Sequence, residues 1–272
     1  MSTSHLEENN SSPLLTKIYG AGPPVLLIPG FASRANNWGM QYRALKKDFK
    51  VITVEKNGNG DLGQCDGGDY RIDLIAAELY QTVEGHGIRK VSILGSSMGA
   101  MIALEFALRY PEKVTCLILA SLPLEQSPSL QYLKEKLIAS TQERADEETF
   151  FKKLLPFFFS PNFIQNKRFE IYADFFIQNG ASFSKKVLCS QMFAVNQWLE
   201  SKRWMIGCSC PCLVIYGSED RLTSGARGIE QAVRAFKKME IKIIEGAGHA
   251  VQIERHQEFN KIVHEFLGRH TT

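Results

Sequence analysis

Val91-Ser-Ile-Leu-Gly95-Ser96-Ser97-Met98-Gly99-Ala100 changes character at its centre. Apolar, mostly β-branched residues lead into Gly-x-Ser-x-Gly, and a helical period follows up to Tyr110, just before Pro111. A strand that turns at once into a helix brings its backbone close to itself. Small residues two positions either side of the turn residue make room for that approach. Gly95 and Gly99 supply them, and they single out Ser97 rather than Ser96 as the turn residue. Such a turn lifts the serine Oγ out of the sheet. It also leaves the Met98 N–H at a helix start, free to donate.

The same alternation runs outward in both directions. Short, nearly continuous apolar runs predict buried strands at Val25–Ile28, Val51–Val54, Val91–Leu94, Val114–Leu119, Cys212–Tyr216 and Ile241–Ile244, with an outer strand at Leu14–Tyr19. Helical periods over Asp73–Val83, Met98–Tyr110, Gly228–Phe236 and Glu254–Leu267 lie between or after them. Strand–helix alternation of this kind predicts an α/β protein with a mostly parallel central sheet flanked by helices. One segment departs from it. Residues 122–206 hold no parallel-strand signal but carry eleven of the seventeen phenylalanines, with Pro156, Pro161 and Gly180 as expected breaks. These features predict a helical insertion of several short helices. Most of its aromatics would bury the insertion's own core, and a few would line a pocket beneath it.

Composition narrows the function classes. The 272 residues are 44% hydrophobic and 22% charged, as in an ordinary globular protein. Lys+Arg at 32 against Asp+Glu at 29 leaves a net charge of only +3, which argues against nucleic-acid or anionic-membrane binding. No apolar run is long enough to span a bilayer. Met1–Pro13 reads as a loose tail rather than an export signal, so a cytoplasmic location is expected. The six cysteines do not form a disulfide framework. Cys208-Ser-Cys210-Pro-Cys212 has spacings too short for a structural zinc pair and reads as strand-entry packing, so no metal is expected.

A serine hydroxyl needs a base to become a nucleophile. Among six histidines, His249 stands apart, in the Gly246-Ala-Gly248-His249 loop directly after the last strand. Loops at the carboxyl ends of parallel strands are where open α/β sheets place their sites. His5, His86, His256, His264 and His270 fall on the tail, on a turn and on the final helix or its end. A base needs an anion in turn. Glu219 and Asp220 in Tyr216-Gly-Ser-Glu219-Asp220 are both candidates, and Glu125 is a third. Leu27-Ile-Pro29-Gly30-Phe31 ends the first central strand in a Pro-Gly turn. That turn can present the Phe31 N–H opposite that of Met98, to receive a developing oxyanion.

With these landmarks the chain resembles the α/β-hydrolase superfamily, almost from end to end. The order Ser97, Asp220, His249 matches the Ser…acid…His order of that fold, and Asp220 takes the acid's place in the family motif. The resemblance implies a core at residues 14–121 and 207–272 and a helical cap at 122–206. It also implies a serine esterase that cleaves small-molecule carboxylic esters through an acyl-enzyme, with no cofactor. Small cytosolic esterases, carrier-protein methyl ester esterases, enol-lactone hydrolases and meta-cleavage-product hydrolases are similar. Carbon–carbon bond hydrolysis on the same triad and a ligand receptor on the same fold are the rival expectations. Two departures stand out. Pro29-Gly30 replaces the His-Gly of many relatives. Glu55-Lys-Asn-Gly58-Asn-Gly60-Asp-Leu-Gly63 replaces their Asp-x-x-Gly-x-Gly-x-Ser. That glycine-rich run is only a loose match to a dinucleotide loop.

Overall fold

A computed structural model describes residues 14–56, 70–142, 147–181, 183–223, 229–230, 233–234, 236 and 238–271. The tail Met1–Pro13 and the glycine run Gly58–Gly63 lie outside them, as does much of the expected helix at Gly228–Phe236.

Seven strands form one sheet: β1 (Thr16–Tyr19), β2 (Pro24–Ile28), β3 (Lys50–Val54), β4 (Val91–Ser96), β5 (Val114–Ala120), β6 (Cys212–Gly217) and β7 (Met239–Ile244). Their order is β1-β3-β2-β4-β5-β6-β7. Only β1 is antiparallel, paired with β3. Because β2 lies between β3 and β4, the chain crosses over it after β3. The crevice at the carboxyl ends of β2 and β4 is therefore a topological switch point, the usual ligand position in such sheets.

The period of two along each central strand feeds two cores. Val25 and Leu27 face one side, with Trp38, Leu45, Phe259 and Phe266. Leu26 and Ile28 face the other, with Ile75, Leu79, Ile102 and Phe106. The first side is covered by α1 (Gly39–Leu45), which follows a 3₁₀ turn at Ala35–Trp38, and by α10 (His256–His270). The second is covered by α2 (Ile72–Gly85) and α3 (Met98–Arg109). Residues Met98 to Ala107 of α3 are all buried, so it is a core helix on every side.

Between β5 and β6 come α4 (Pro128–Gln142), α5 (Glu147–Phe158), α6 (Pro161–Ile164), α7 (Phe169–Ala181) and α8 (Lys185–Ser201). They interleave aromatic side chains: Phe158 packs on Phe176 at 5.0 Å, and Phe159 stacks on Phe163 at 5.3 Å. Four expectations need correction. Pro156 sits within the last turn of α5 rather than ending it, and the helix stops two residues later. Gly180 likewise lies inside the end of α7. The helix expected at Glu254–Leu267 is two pieces, α9 (Val251–Glu254) and α10, separated at Arg255, whose φ of −122° and ψ of 41° are not helical. The last strand is not buried on both faces: β7 is the sheet edge, and Ile243 is exposed.

One of the fastenings of the insertion to the core is a buried carboxylate. Glu105, on α3, is fully buried and accepts from Trp198 Nε1 of α8 (3.2 Å), Arg203 Nε (2.8 Å) and Arg109 Nε (2.7 Å). Burial opposes its ionisation. Hydrogen bonds from Arg203, Arg109 and Trp198 outweigh that and hold its carboxyl below the usual range. Hydrogen bonds to a charged partner contribute about 1.5–3 kcal/mol. Glu105→Ala is therefore expected to lower the unfolding free energy by about 2–3 kcal/mol in urea titrations with an unchanged m-value. A loss below about 0.5 kcal/mol would show that the cluster holds nothing together.

Candidate active site

The serine turn forms where the sequence pattern places it. Ser97 has φ 54° and ψ −119°, a strained combination for an L-residue. It persists because both sides are over-determined. The Ser97 N–H donates to Ala120 O of β5 at 2.9 Å, and Ser97 O accepts from Ala100 N–H at 2.9 Å. A Cβ on Gly95 would lie 2.2 Å from Gly99 O, and one on Gly99 would lie 2.2 Å from Ile28 O of β2. No side chain fits at either glycine.

The acid and base loops are packed together as tightly. A Cβ on Gly217, at the end of β6, would lie 2.2 Å from Ala247 O in the histidine loop. Glu219 N–H donates to Ala247 O at 2.8 Å, and the next residue, Asp220, is buried where Glu219 is half-exposed. His249 Nδ1 lies 3.0 Å from Asp220 Oδ2 and 3.1 Å from Oδ1, and both side chains are buried. Of the three acid candidates, Asp220 is the one on His249. An ionised carboxylate only accepts, so Nδ1 carries the proton and Nε2 has its lone pair free. Nε2 is buried and accepts from no described group.

Asp220 also accepts from Leu222 N–H (2.9 Å), Thr223 N–H (3.1 Å) and the Thr223 hydroxyl. Burial works against its charge. Attraction to His249, followed by the hydrogen bonds from His249, Thr223 and Leu222, overcomes that and holds its carboxyl below the ordinary value. The histidine loop has further anchors. Ser121 Oγ donates to His249 O at 2.7 Å, and Ala250 N–H donates to Phe158 O at 2.8 Å. Glu254 accepts from Gly248 N–H (2.9 Å) and Ser160 Oγ (2.6 Å), joining the loop to the insertion. Burial pushes the Glu254 carboxyl up, against those same hydrogen bonds. Sequence reasoning missed Glu254, because a glutamate at the start of an amphipathic helix reads as a solvated charge.

Ser97 and His249 line two small cavities. One, of about 40 Å³, is bounded by Gly30, Phe31, Asn37, Phe158, Phe176 and Ile253 among others. The second, of about 20 Å³, has an apolar wall of Leu130, Leu133, Phe158, Met192, Val195 and Leu222, with Phe31 and Met98 beside it. Of the eleven phenylalanines in the insertion, only Phe158 and Phe176 reach these cavities. A cleft of about 480 Å³ is far larger, but it is polar and open and contains neither Ser97 nor His249. Size therefore does not select the site; the buried pair does. Phe31 and Met98, the expected oxyanion donors, line the second cavity together with Ser97. Met98 is the first residue of α3, and Phe31 follows β2. The neighbouring Ala32 N–H is already engaged, donating to Gln191 Oε1 of α8 at 3.0 Å.

The model of the alpha/beta hydrolase fold family matches residues 23–256. The chain belongs to that family. Among curated relatives, the protein RutD of Escherichia coli, described by name as a carbamate hydrolase, is 33% identical over 100 residues. That match spans 37% of this chain and only 38% of the relative. A thermophilic esterase from Thermogutta terrifontis superposes with a TM-score of 0.83 at 22% identity, covering 95% of this chain and 94% of its own. The enol-lactonase from Burkholderia xenovorans LB400 superposes with a TM-score of 0.82 at 21% identity, covering 94% and 96%. At such identities the structures attest the fold. No described helix is long and apolar enough to cross a membrane.

The pairing of Asp220 sets a pH dependence of stability. Its folded-state carboxyl titrates below the unfolded reference of about 3.9, so its ionisation stabilises the fold above that value. The contribution is lost as pH falls through the lowered folded value. The stability difference between the wild type and Asp220→Asn, from urea unfolding, is expected to shrink between pH 6 and pH 3. A constant difference over that range would contradict the ion-pair account.

Proposed function

We propose that the chain is a serine hydrolase of carboxylic esters bearing small to medium apolar acyl groups, working through an acyl-enzyme. One observation carries this reading: His249 Nε2 is buried and unpartnered beside Ser97, while Nδ1 is held by Asp220. In the proposed cycle Ser97 Oγ attacks the carbonyl carbon as His249 Nε2 takes its proton. The tetrahedral oxyanion receives hydrogen bonds from the Phe31 and Met98 N–H groups. Collapse expels the alcohol, protonated by His249, and a water activated by the same nitrogen releases the acid. Every step is proton movement and acyl transfer, so the cycle calls for no cofactor.

The apolar wall of Leu130, Leu133, Met192, Val195 and Leu222 supports an acyl side there, with the insertion acting as its cap. One buried CH₂ contributes about 0.8 kcal/mol, and about 1.4 kcal/mol is tenfold in rate. A butyryl ester is therefore expected to exceed acetyl by about tenfold in kcat/KM, while the tight cavities turn decanoyl away. The likeness to a carbamate hydrolase brings a second substrate class to the same site, since a carbamate carbonyl undergoes the same acyl transfer.

The test is a panel of p-nitrophenyl acetate, butyrate, hexanoate and decanoate alongside an aryl carbamate and a vinylogous diketone. Turnover of the esters that falls at least about 10³-fold in Ser97→Ala, but little in Ser96→Ala, is the expected result. Asp220→Asn is expected to keep the fold and lose about 10⁴ in kcat. Preference for the diketone would favour carbon–carbon hydrolysis, and a single turnover with no catalysis would favour a receptor.

A further inference from the structure

Lys56 follows β3 and is fully buried, the least expected place for an ammonium group in this fold. Its Nζ donates to three carbonyls of the loop after β2: Gly30 O at 2.9 Å, Ser33 O at 3.0 Å and Pro29 O at 3.1 Å. Three bonds use all three ammonium protons. Gly30 O belongs to the same peptide unit as the Phe31 N–H. In a trans peptide the carbonyl and the N–H point in opposite directions, so pinning one aims the other. A cation on the carbonyl also draws charge through the unit and makes its N–H a stronger donor. The loop in turn lies against the serine turn: a Cβ on Gly30 would sit 3.0 Å from Ser96 O and 3.3 Å from Ser97 Cβ.

We infer that Lys56 is a positioning residue for the oxyanion site, holding the Gly30–Phe31 peptide so that its N–H points at the carbonyl attacked by Ser97. The inference rests on the ester-hydrolase reading above and adds a cation behind the donor. That cation takes over at residues 29–33 an organising task for which the loop's own side chains are poorly suited. Pro29 has no N–H, and Gly30 has no side chain.

Burial lowers the Lys56 ammonium to about 7, against a smaller upward pull from Glu55. Glu55, at the same strand end, accepts from Ala35 N–H at 3.0 Å and lies 4.0 Å from Arg34. Across the cavity the titratable groups are His249 and, paired with it, Asp220. Because the folded value is lowered to about 7, the charged form predominates below that pH and is lost as pH rises through it. Loss of the third hydrogen bond and of the cation would then slow acyl transfer on the alkaline side.

The experiment measures kcat, KM and fluorophosphonate labelling of Ser97 from pH 6 to 9.5 in wild type, Lys56→Met and Lys56→Arg. Removing an oxyanion donor outright costs about 10²–10³ in kcat. Misaiming one is expected to cost about 10- to 100-fold in Lys56→Met, with KM changed less than about threefold. The alkaline descent of the wild-type kcat should be absent in Lys56→Met. Lys56→Arg, with a permanently charged group, should recover part of the rate and also lack the descent. Should Lys56→Met not fold, the wild-type profile decides, and a flat kcat from pH 7 to 9.5 overturns the inference. A folded Lys56→Met with wild-type kcat and profile overturns it as well, while labelled Ser97 leaves the hydrolase reading intact. Absence of both labelling and turnover in the wild type overturns both.

Discussion

The approach of three backbones at the end of β4 governs the rest of the molecule. Strand β2, the serine turn and the first turn of α3 lie so close that neither Gly95 nor Gly99 can carry a Cβ, which would meet carbonyl oxygens at 2.2 Å. That contact sets the start of α3 on the sheet, and Met98 to Ala107 are buried, Glu105 beneath Trp198 and Arg203 of the insertion. It also forces Ser97 into positive φ, at a cost of about 1–3 kcal/mol that the surrounding hydrogen bonds offset. The same contact brings the carboxyl end of β2 beside Ser97. The Gly30–Phe31 loop and the Ser97 hydroxyl thus come from different strands yet share one rigid corner.

The residues that complete the site reach it through a second close contact, between Gly217 and the Ala247 carbonyl. It sets the spacing of the loops after β6 and β7, and with it the His249–Asp220 pair. The insertion then closes on this loop directly. Phe158 O holds Ala250 N–H, Ser160 and Gly248 share the Glu254 carboxylate, and Gln191 occupies the Ala32 N–H. The helices above the cavity are bound to the His249 loop and to the loop that carries Phe31 by hydrogen bonds. This is the physical basis for treating them as one structural unit.

What was legible in the sequence follows from how local each constraint is. Strand cores such as Val25–Ile28 announce themselves through continuous apolarity, and the serine turn through two glycines four residues apart. His249 was legible because it follows a strand, and the choice of Asp220 over Glu219 needed the family's pattern. Lys56, Glu254, Gln191 and Glu105 were not legible. Lys56, Gln191 and Glu105 are buried and Glu254 half-buried, each against at least one partner far away in sequence, and local pattern does not distinguish such a residue from a solvated one. The broken helix at Arg255 and the retained Pro156 were misjudged for a related reason. Tertiary packing, not local propensity, decides where those helices end. The exposure of β7 depends on its being the last strand of the sheet, a fact of topology.

The most direct test is to catch the covalent intermediate. Wild-type protein mixed with excess p-nitrophenyl butyrate and quenched in acid within milliseconds should release a burst of one p-nitrophenol per chain. Peptide mapping of the quenched protein should find one butyryl group, on the hydroxyl of Ser97. The account is contradicted if the burst occurs with the acyl group on another residue, Ser96 included. It is equally contradicted if esters turn over with no acylated intermediate when deacylation is rate-limiting.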